Sequence, residues 1–136
     1  MYYHAKPSDL LFVFPIGAAG YSLLEVLWRG YTHWTMALTG GLCFCLIYLI
    51  SCGLPKVSVP LKCIYGACAV TCVEFIVGCI VNLMFHMNVW DYSSLPLHLF
   101  GQICLPYSLL WLLLCLPLYF LCRALSQGIR RLERTA

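Results

Sequence analysis

Apolar residues run along the chain in four long blocks separated by short polar breaks. The first block runs from about Asp9 to Trp28 and extends toward Tyr31. The second runs from about Thr35 to Leu54, the third from about Pro60 to Phe85, and the fourth from about Leu97 to Cys122. A helix needs roughly 20 apolar residues to cross about 30 Å of hydrocarbon, and each block is long enough. The pattern predicts four transmembrane helices. Pro55 and Pro60 bracket a short turn between the second and third, and the more polar segment His86 to Pro96 is the longest internal loop. After Cys122 the composition turns basic and ends in Arg130-Arg131-Leu132-Glu133-Arg134. The expected organisation is one four-helix transmembrane domain over residues 1–122 and a basic cytoplasmic tail over residues 123–136.

Composition sharpens this picture. Of 136 residues, 62% are hydrophobic and only 10% are charged, with a mean hydropathy of +0.88. A soluble domain is about 45–50% apolar and about 25% charged, so a soluble globular chain and a disordered one are both excluded. Eight Lys and Arg residues are too few and too scattered for a nucleic-acid-binding face. Lys6 is the only basic residue before the first span, and no small-residue cleavage site follows, so that span is expected to be permanent. The basic residues also predict topology. Lys6, Lys56, Lys62, Arg123, Arg130, Arg131 and Arg134 fall on one side of the alternating spans, and Arg29 falls on the other. The positive-inside rule then places both termini in the cytoplasm. Trp28, Tyr31, Trp34, Trp90 and Tyr92 fall on the opposite side and suit an aromatic belt.

The chain reads as built twice. Gly17-Ala18-Ala19-Gly20-Tyr21-Ser22-Leu23-Leu24-Glu25 aligns with Gly66-Ala67-Cys68-Ala69-Val70-Thr71-Cys72-Val73-Glu74, and Leu38 to Cys43 aligns with Leu99 to Cys104. Both copies enter from the same side, so a duplicated helical hairpin would form a parallel repeat about an axis along the membrane normal.

Glu25 and Glu74 are the central chemical observation. An acid inside a span costs roughly 2.5–3.5 kcal/mol on insertion scales and must face protein or water. At about 100° per residue, Tyr21, Ser22 and Arg29 share the face of Glu25, and Arg29 at i+4 can pair with it. Thr71, Gly78 and Asn82 form a polar stripe with Glu74. The functional reading is that these acids bind a cation, a proton or a polar substrate group in one central cavity. The structural alternative is that they hydrogen-bond between helices and hold the bundle together. Pro106 has no N–H, so within a helix it would free the carbonyl of Gln102 and place that carbonyl and the amide side chain at one depth of the fourth span. Asp91 in Trp90-Asp91-Tyr92-Ser93 could cap a short helix or bind at a vestibule. His33 and His86 are read as solvated interfacial residues. The ten cysteines form no C-x-x-C pair and lack zinc-ligand spacings, so they read as packing, although Cys68, Cys72 and Cys79 share one helical stripe. No phosphate loop, nucleophile elbow or metalloprotease helix occurs, and neither a cofactor nor a metal is expected. Gly17, Gly20, Gly40, Gly41, Gly66, Gly78 and Gly101 suit close helix approach, with Pro15, Pro106 and Pro117 bending individual helices.

The run Val89-Trp90-Asp91-Tyr92-Ser93, followed by Gly101-Gln102-Ile103-Cys104-Leu105-Pro106-Tyr107-Ser108-Leu109-Leu110-Trp111, resembles the ABC-transporter type IV, or CmpB-like, family of small bacterial membrane proteins. Vertebrate transmembrane protein 229 looks like a distant relative. The resemblance covers about Ile16 to Leu116. Within it, Glu25, Trp28 and Arg29 stand at the family's acid and aromatic after the opening helix, and Glu74 at an acid of its next long helix. Asp91 and Gln102 lie inside the matching motif. The family often has prolines around its second-span cysteine, whereas Gly40-Gly41-Leu42-Cys43-Phe44 has none. That removes the basis for a kink or re-entrant element there.

What the resemblance implies is a permease-like transport role in a bacterial cytoplasmic membrane, beside an ATP-hydrolysing partner on a separate chain. The expected substrate- or ion-binding set is Glu25, Arg29, Glu74, Asn82, Asp91 and Gln102, with a small polar or cationic substrate. The alternatives are an intramembrane enzyme acting on lipid, and a non-catalytic subunit or sensor of a larger complex. Four spans enclose little volume, so a homodimer or a partner would serve any of these.

Overall fold

The polar breaks of the first half become tight turns. In the computed structural model, which describes residues 5–136, a 3-10 turn at Pro7–Asp9 leads into α1 (Leu10–Arg29). Gly30 ends α1 in the left-handed region at φ 83°, its N–H returning to the carbonyl of Val26. Such a cap favours a residue without Cβ. α2 (Trp34–Gly53) follows at once, its first turn capped by His33, whose Nδ1 accepts from the Thr35 N–H at 3.3 Å. His33 is therefore a cap as well as an interfacial side chain. α3 (Val59–Gly78) continues into a π-helical turn at Cys79–Met84. A cap segment, residues 85–104, then carries a two-residue hairpin, β1 (His98–Leu99) against β2 (Ile103–Cys104), before α4 (Leu105–Thr135). The fold is an all-α bundle of four helices, all long and apolar enough to span a membrane. At 1.5 Å per residue α1 and α2 are about 30 Å long, matched to the hydrocarbon, whereas α4 is about 46 Å. Its surplus carries Arg123 to Arg134 as helix, so the basic C-terminal residues are the last turns of α4.

α2 is the central helix and packs against α1, α3 and α4. It has no polar side to turn outward. Thr35, Thr39 and Ser51 are all buried, and Thr39 Oγ1 donates to the Thr35 carbonyl at 2.7 Å. The core gathers Cys43, Phe44, Ile47 and Tyr48 of α2 against Val13, Val70, Cys115 and Cys122. Seven cysteines are buried, in keeping with packing, while Cys68 and Cys72 are exposed on the outer face of α3. Leu11, Leu23, Leu27, Leu113 and Phe120 are all exposed. An apolar outer surface of this kind suits lipid, and packing between helices must then come from close fit. At the α1–α2 crossing, Gly17 lies against Phe44 and the Gly40 carbonyl, and Gly40 lies against Tyr21. Gly20 touches nothing in this way.

Lys6 Nζ meets Glu133 at 2.9 Å, so the start of α1 and the end of α4 lie at the same end of the bundle. The α2–α3 turn is at that end too, and the α1–α2 turn and the cap are at the other.

Two expectations about the fourth span change. Leu97 to Cys104 is not helix. Leu97 and Phe100 have φ of 52° and 51°, Gly101 has φ 68°, and the segment folds as a hairpin cap. Pro106 stands in the first turn of α4, where its missing N–H would have had no helical partner, so it starts the helix instead of kinking it. The freed Gln102 carbonyl therefore has another cause and another use: it accepts the Trp90 indole N–H at 2.9 Å. The matched segments Leu38 to Cys43 and Leu99 to Cys104 consequently differ in conformation, the first being α-helix and the second hairpin.

Candidate functional site: an aromatic cavity walled by Glu25, Arg29 and Glu74

Glu74 projects from the last turns of α3 and is 5% exposed. Its Oε1 accepts from the Trp111 indole N–H at 3.0 Å and from the Tyr21 hydroxyl at 3.3 Å. One donor comes from α4 and the other from α1, so this carboxylate ties three helices together. The Tyr21 and Trp111 rings stack with centroids 5.7 Å apart and an interplanar angle of 13°.

One turn beyond Tyr21, Glu25 accepts from Arg29 Nη2 at 2.6 Å, the i,i+4 pair that the helix spacing allows. The side chains are 14% and 21% exposed. Arg29 Nη1 also donates to the Val89 carbonyl at 2.9 Å, which fastens the end of α1 to the cap. Glu25 is thus both a partner for Arg29 and a wall of the interior.

Both glutamates line one cavity of about 290 Å³ between α1, α3, α4 and the cap. Tyr21, Trp28, Tyr92, Tyr107 and Trp111 supply its aromatic lining. Tyr92 and Tyr107 stack at 4.8 Å, and the Trp28 indole N–H donates to the Tyr107 hydroxyl at 3.3 Å. Burial, reinforced by the Glu74 carboxylate, holds the Tyr92 hydroxyl above the ordinary tyrosine range, so Tyr92 stays neutral at physiological pH. The wall carries two carboxyl groups and one guanidinium. The cavity can therefore hold a cation against carboxylates and aromatic faces, or hold a polar group through neutral hydroxyls and indoles.

The other expected site residues lie elsewhere. Asn82, on the π-helical turn, and Gln102, on the cap, are buried in a network of their own. Asn82 Nδ2 donates to Gln102 Oε1 at 2.9 Å, Asn82 Oδ1 accepts from the Val89 N–H at 2.7 Å, and Gln102 Nε2 donates to the Phe100 carbonyl at 2.8 Å. This network pins the cap on α3. A Cβ on Gly78 would stand 2.7 Å from Gln102 Oε1 and 3.0 Å from the Trp90 ring, so glycine is what lets the cap sit this close. Trp90 is 7% exposed, which removes it from the aromatic belt expected at the interface, while Trp28, Tyr31 and Trp34 remain exposed. Asp91 is exposed and folds back on its own turn, its Oδ1 accepting from the Ser93 N–H at 2.8 Å. That bond holds its carboxyl below the ordinary aspartate range.

The family model described as "Putative ABC-transporter type IV" matches residues 10–136. The chain belongs to this family. The match takes in all four spans, the cap and every residue of the cavity. No curated protein and no solved structure matches the chain. Tyr92, expected in the interfacial aromatic belt, instead lines the cavity, and Tyr107 and Trp111, which complete the site, stand in the sequence only within the run that carries the family resemblance. The signal that could have singled them out is the i,i+4 spacing of Tyr107 and Trp111, which puts two amphipathic aromatics on one face of α4.

Proposed function

We propose that this chain is the membrane-spanning, permease-like component of an ABC-type transport system, with the Glu25–Arg29–Glu74 cavity as its substrate site. The family description supports the transport class. The observation that carries the site is the convergence of Glu25 and Glu74 on one aromatic-lined cavity, since ionisable residues inside a membrane are expensive and mark polar paths. The substrate class is a small cation or a polar molecule with a cationic group. Glu74 takes the charge, the Tyr21–Trp111 and Tyr92–Tyr107 pairs supply ring faces, and Glu25–Arg29 sets the outer wall. Asn82 and Gln102 act as positioning residues that hold the cap over the cavity, and Asp91 shapes the cap's outer turn.

The likeness of Gly17 to Glu25 and Gly66 to Glu74 supports this reading, although Leu99 to Cys104 departs from the helical conformation of its match Leu38 to Cys43. Gly17 and Gly66, each eight residues before its glutamate, both serve helix contacts, the first with α2 and the second with Cys115 of α4. By the positive-inside rule the end bearing Lys6, Lys62 and Arg123 faces the cytoplasm, and the cavity opens near the opposite face of a bacterial cytoplasmic membrane. An ATPase would then be a separate chain docking at the basic end.

The test is a native mass spectrum of the protein released gently from its own membrane. The expected mass is this chain with an ATP-hydrolysing subunit in fixed stoichiometry. A bare monomer or homodimer, with no ATPase recovered in any mild detergent, overturns the ABC-type assignment.

A further inference from the structure

A second cavity lies at the opposite end of the bundle from Glu74, and its chemistry is reversed. It measures about 290 Å³ and is framed by the end of α2, the α2–α3 turn, the start of α3 and the stretch of α4 from Tyr119 to Arg130. Lys62, Arg123 and Arg130 line it, together with the hydroxyl-bearing Ser51, Ser58 and Ser126. No Asp or Glu is among its lining residues.

Lys62 is the unusual member. A lysine at the end of a span normally extends its ammonium to water. Lys62 instead is 6% exposed. Its Nζ donates to the Ser51 carbonyl at 2.8 Å and lies 5.3 Å from the Tyr119 ring centroid. Among the described residues the ion pairs are Lys6–Glu133 and Arg29–Glu25, so Lys62 has no carboxylate partner there. An ammonium has three donor hydrogens, and a desolvated cation without a counter-charge is costly. Arg123 approaches from α4, its Nη1 on the Tyr119 hydroxyl at 3.2 Å and its guanidinium 5.9 Å from the same ring. Tyr119 thus holds two cations side by side. The N-terminus of the 20-residue α3 opens on the cavity at Ser58 and Val59, and no side chain caps it, so the positive end of its dipole adds to the field.

We propose that this cavity is an anion site for a phosphate group, with Lys62 and Arg123 as its charged ligands and the α3 terminus as its backbone donor. The volume is near the small end of ligand pockets, which run from about 300 to 1,000 Å³, and suits a phosphate headgroup better than a whole nucleotide. Two sources share this chemistry: the headgroup of an anionic phospholipid and a soluble phosphate. The position favours lipid, because the cavity lies where the apolar run of α4 gives way to the basic stretch from Arg123 to Arg134.

The test uses the full chain in a zwitterionic detergent, titrated with phosphatidylglycerol, with phosphatidylcholine and separately with inorganic phosphate. Binding is read by native mass spectrometry for the lipids and by thermal shift for phosphate. Phosphatidylglycerol is expected to bind about 10-fold more tightly than phosphatidylcholine, and Arg123→Gln or Lys62→Gln to erase about that much, the worth of one charge-assisted hydrogen bond. Arg134→Gln, which removes the same charge from an exposed position outside the cavity, is expected to leave binding within about 2-fold. Stabilisation by inorganic phosphate that Arg123→Gln removes, without preference for phosphatidylglycerol, assigns the site to a soluble phosphate. Arg123→Gln is the rim variant that retains the Lys62–Ser51 contact, so its result stands if Lys62→Gln does not fold. Lipid and phosphate binding equal in wild type and Arg123→Gln, or no binding of either, overturns the proposal. Neither outcome depends on the Glu74 cavity.

Discussion

Substituting Gly40 by alanine tests whether the α1–α2 crossing sets the geometry of the Glu74 cavity. A Cβ on Gly40 would overlap the Tyr21 Cβ and stand 2.7 Å from the Tyr21 Cγ and 3.1 Å from the Gly17 carbonyl oxygen. Carbon atoms pack best at about 3.5–4.0 Å, so α1 must retreat from α2 by about 1 Å. None of these neighbours is the far end of a flexible side chain, so no cheap rotamer change relieves the clash. Overpacking of this kind costs about 1–3 kcal/mol. The retreat also carries the Tyr21 hydroxyl away from Glu74 Oε1, a bond that stands at 3.3 Å and has little room to lengthen. Its loss adds about 0.5–1.5 kcal/mol. Alanine returns about 1 kcal/mol through helix propensity, leaving a net loss of about 0.5–3.5 kcal/mol. The matched control is Gly20→Ala, where a Cβ meets nothing within 4 Å and stability should hold or rise slightly. Reversible unfolding in mixed micelles, followed by tryptophan fluorescence, measures both variants. Equal stability of Gly40→Ala and Gly20→Ala, within about 0.5 kcal/mol, would refute the claim that glycine contact positions Tyr21 on Glu74.

Three further predictions address the cavity rim and the cap. Arg29→Gln removes one partner of a largely buried pair and the anchor on Val89, so it should cost about 1.5–3 kcal/mol, and Glu25→Gln/Arg29→Gln should lose less than the sum of the singles in a double-mutant cycle. Asn82→Ala leaves the Val89 N–H and Gln102 Oε1 without their partner, so amide exchange at Val89 should accelerate by about 10-fold or more while exchange in the middle of α2 stays unchanged. Asp91 is held below its ordinary range by the Ser93 N–H, so its contribution to the cap turn is fully present above about pH 4 and fades as pH falls through its folded value. The protection factor of the Ser93 amide, taken relative to intrinsic exchange at each pH, should therefore be flat from pH 8 to pH 5, and Asp91→Asn should abolish any loss seen in acid.

Much of the bundle was legible because a membrane span is a count of apolar letters. The expected first span, about Asp9 to Trp28, and second span, about Thr35 to Leu54, differ by one residue or so from Leu10–Arg29 and Trp34–Gly53, since Gly30 and the His33 cap end and start helices by local chemistry. The fourth span misled because Leu97, Leu99, Phe100 and Ile103 count as apolar whatever their backbone does. What keeps them out of the helix is non-local: the Trp90 indole on the Gln102 carbonyl, the Asn82–Gln102 bond and the room at Gly78. Pro106 fits both a kink and a first turn, and only the position of the preceding hairpin separates the two. Within the site, the Glu25–Arg29 pair followed from spacing along one helix. The partners of Glu74 did not, because Tyr21 and Trp111 arrive from α1 and α4 and no periodicity along α3 points to them.

On the proposed function, Glu74 serves the substrate path as well as the packing of three helices. Glu74→Gln tests it most directly, because glutamine keeps the volume and an oxygen acceptor for Trp111 and Tyr21 while removing the carboxylate. The measurement is rescue, by Glu74→Gln and by wild type at equal membrane abundance, of a strain lacking the chain, scored by the uptake or growth defect that the wild type corrects. The expected result is a folded protein that fails to rescue. Full rescue by Glu74→Gln, with Glu25→Gln equally active, would contradict it and leave both acids as struts of the bundle.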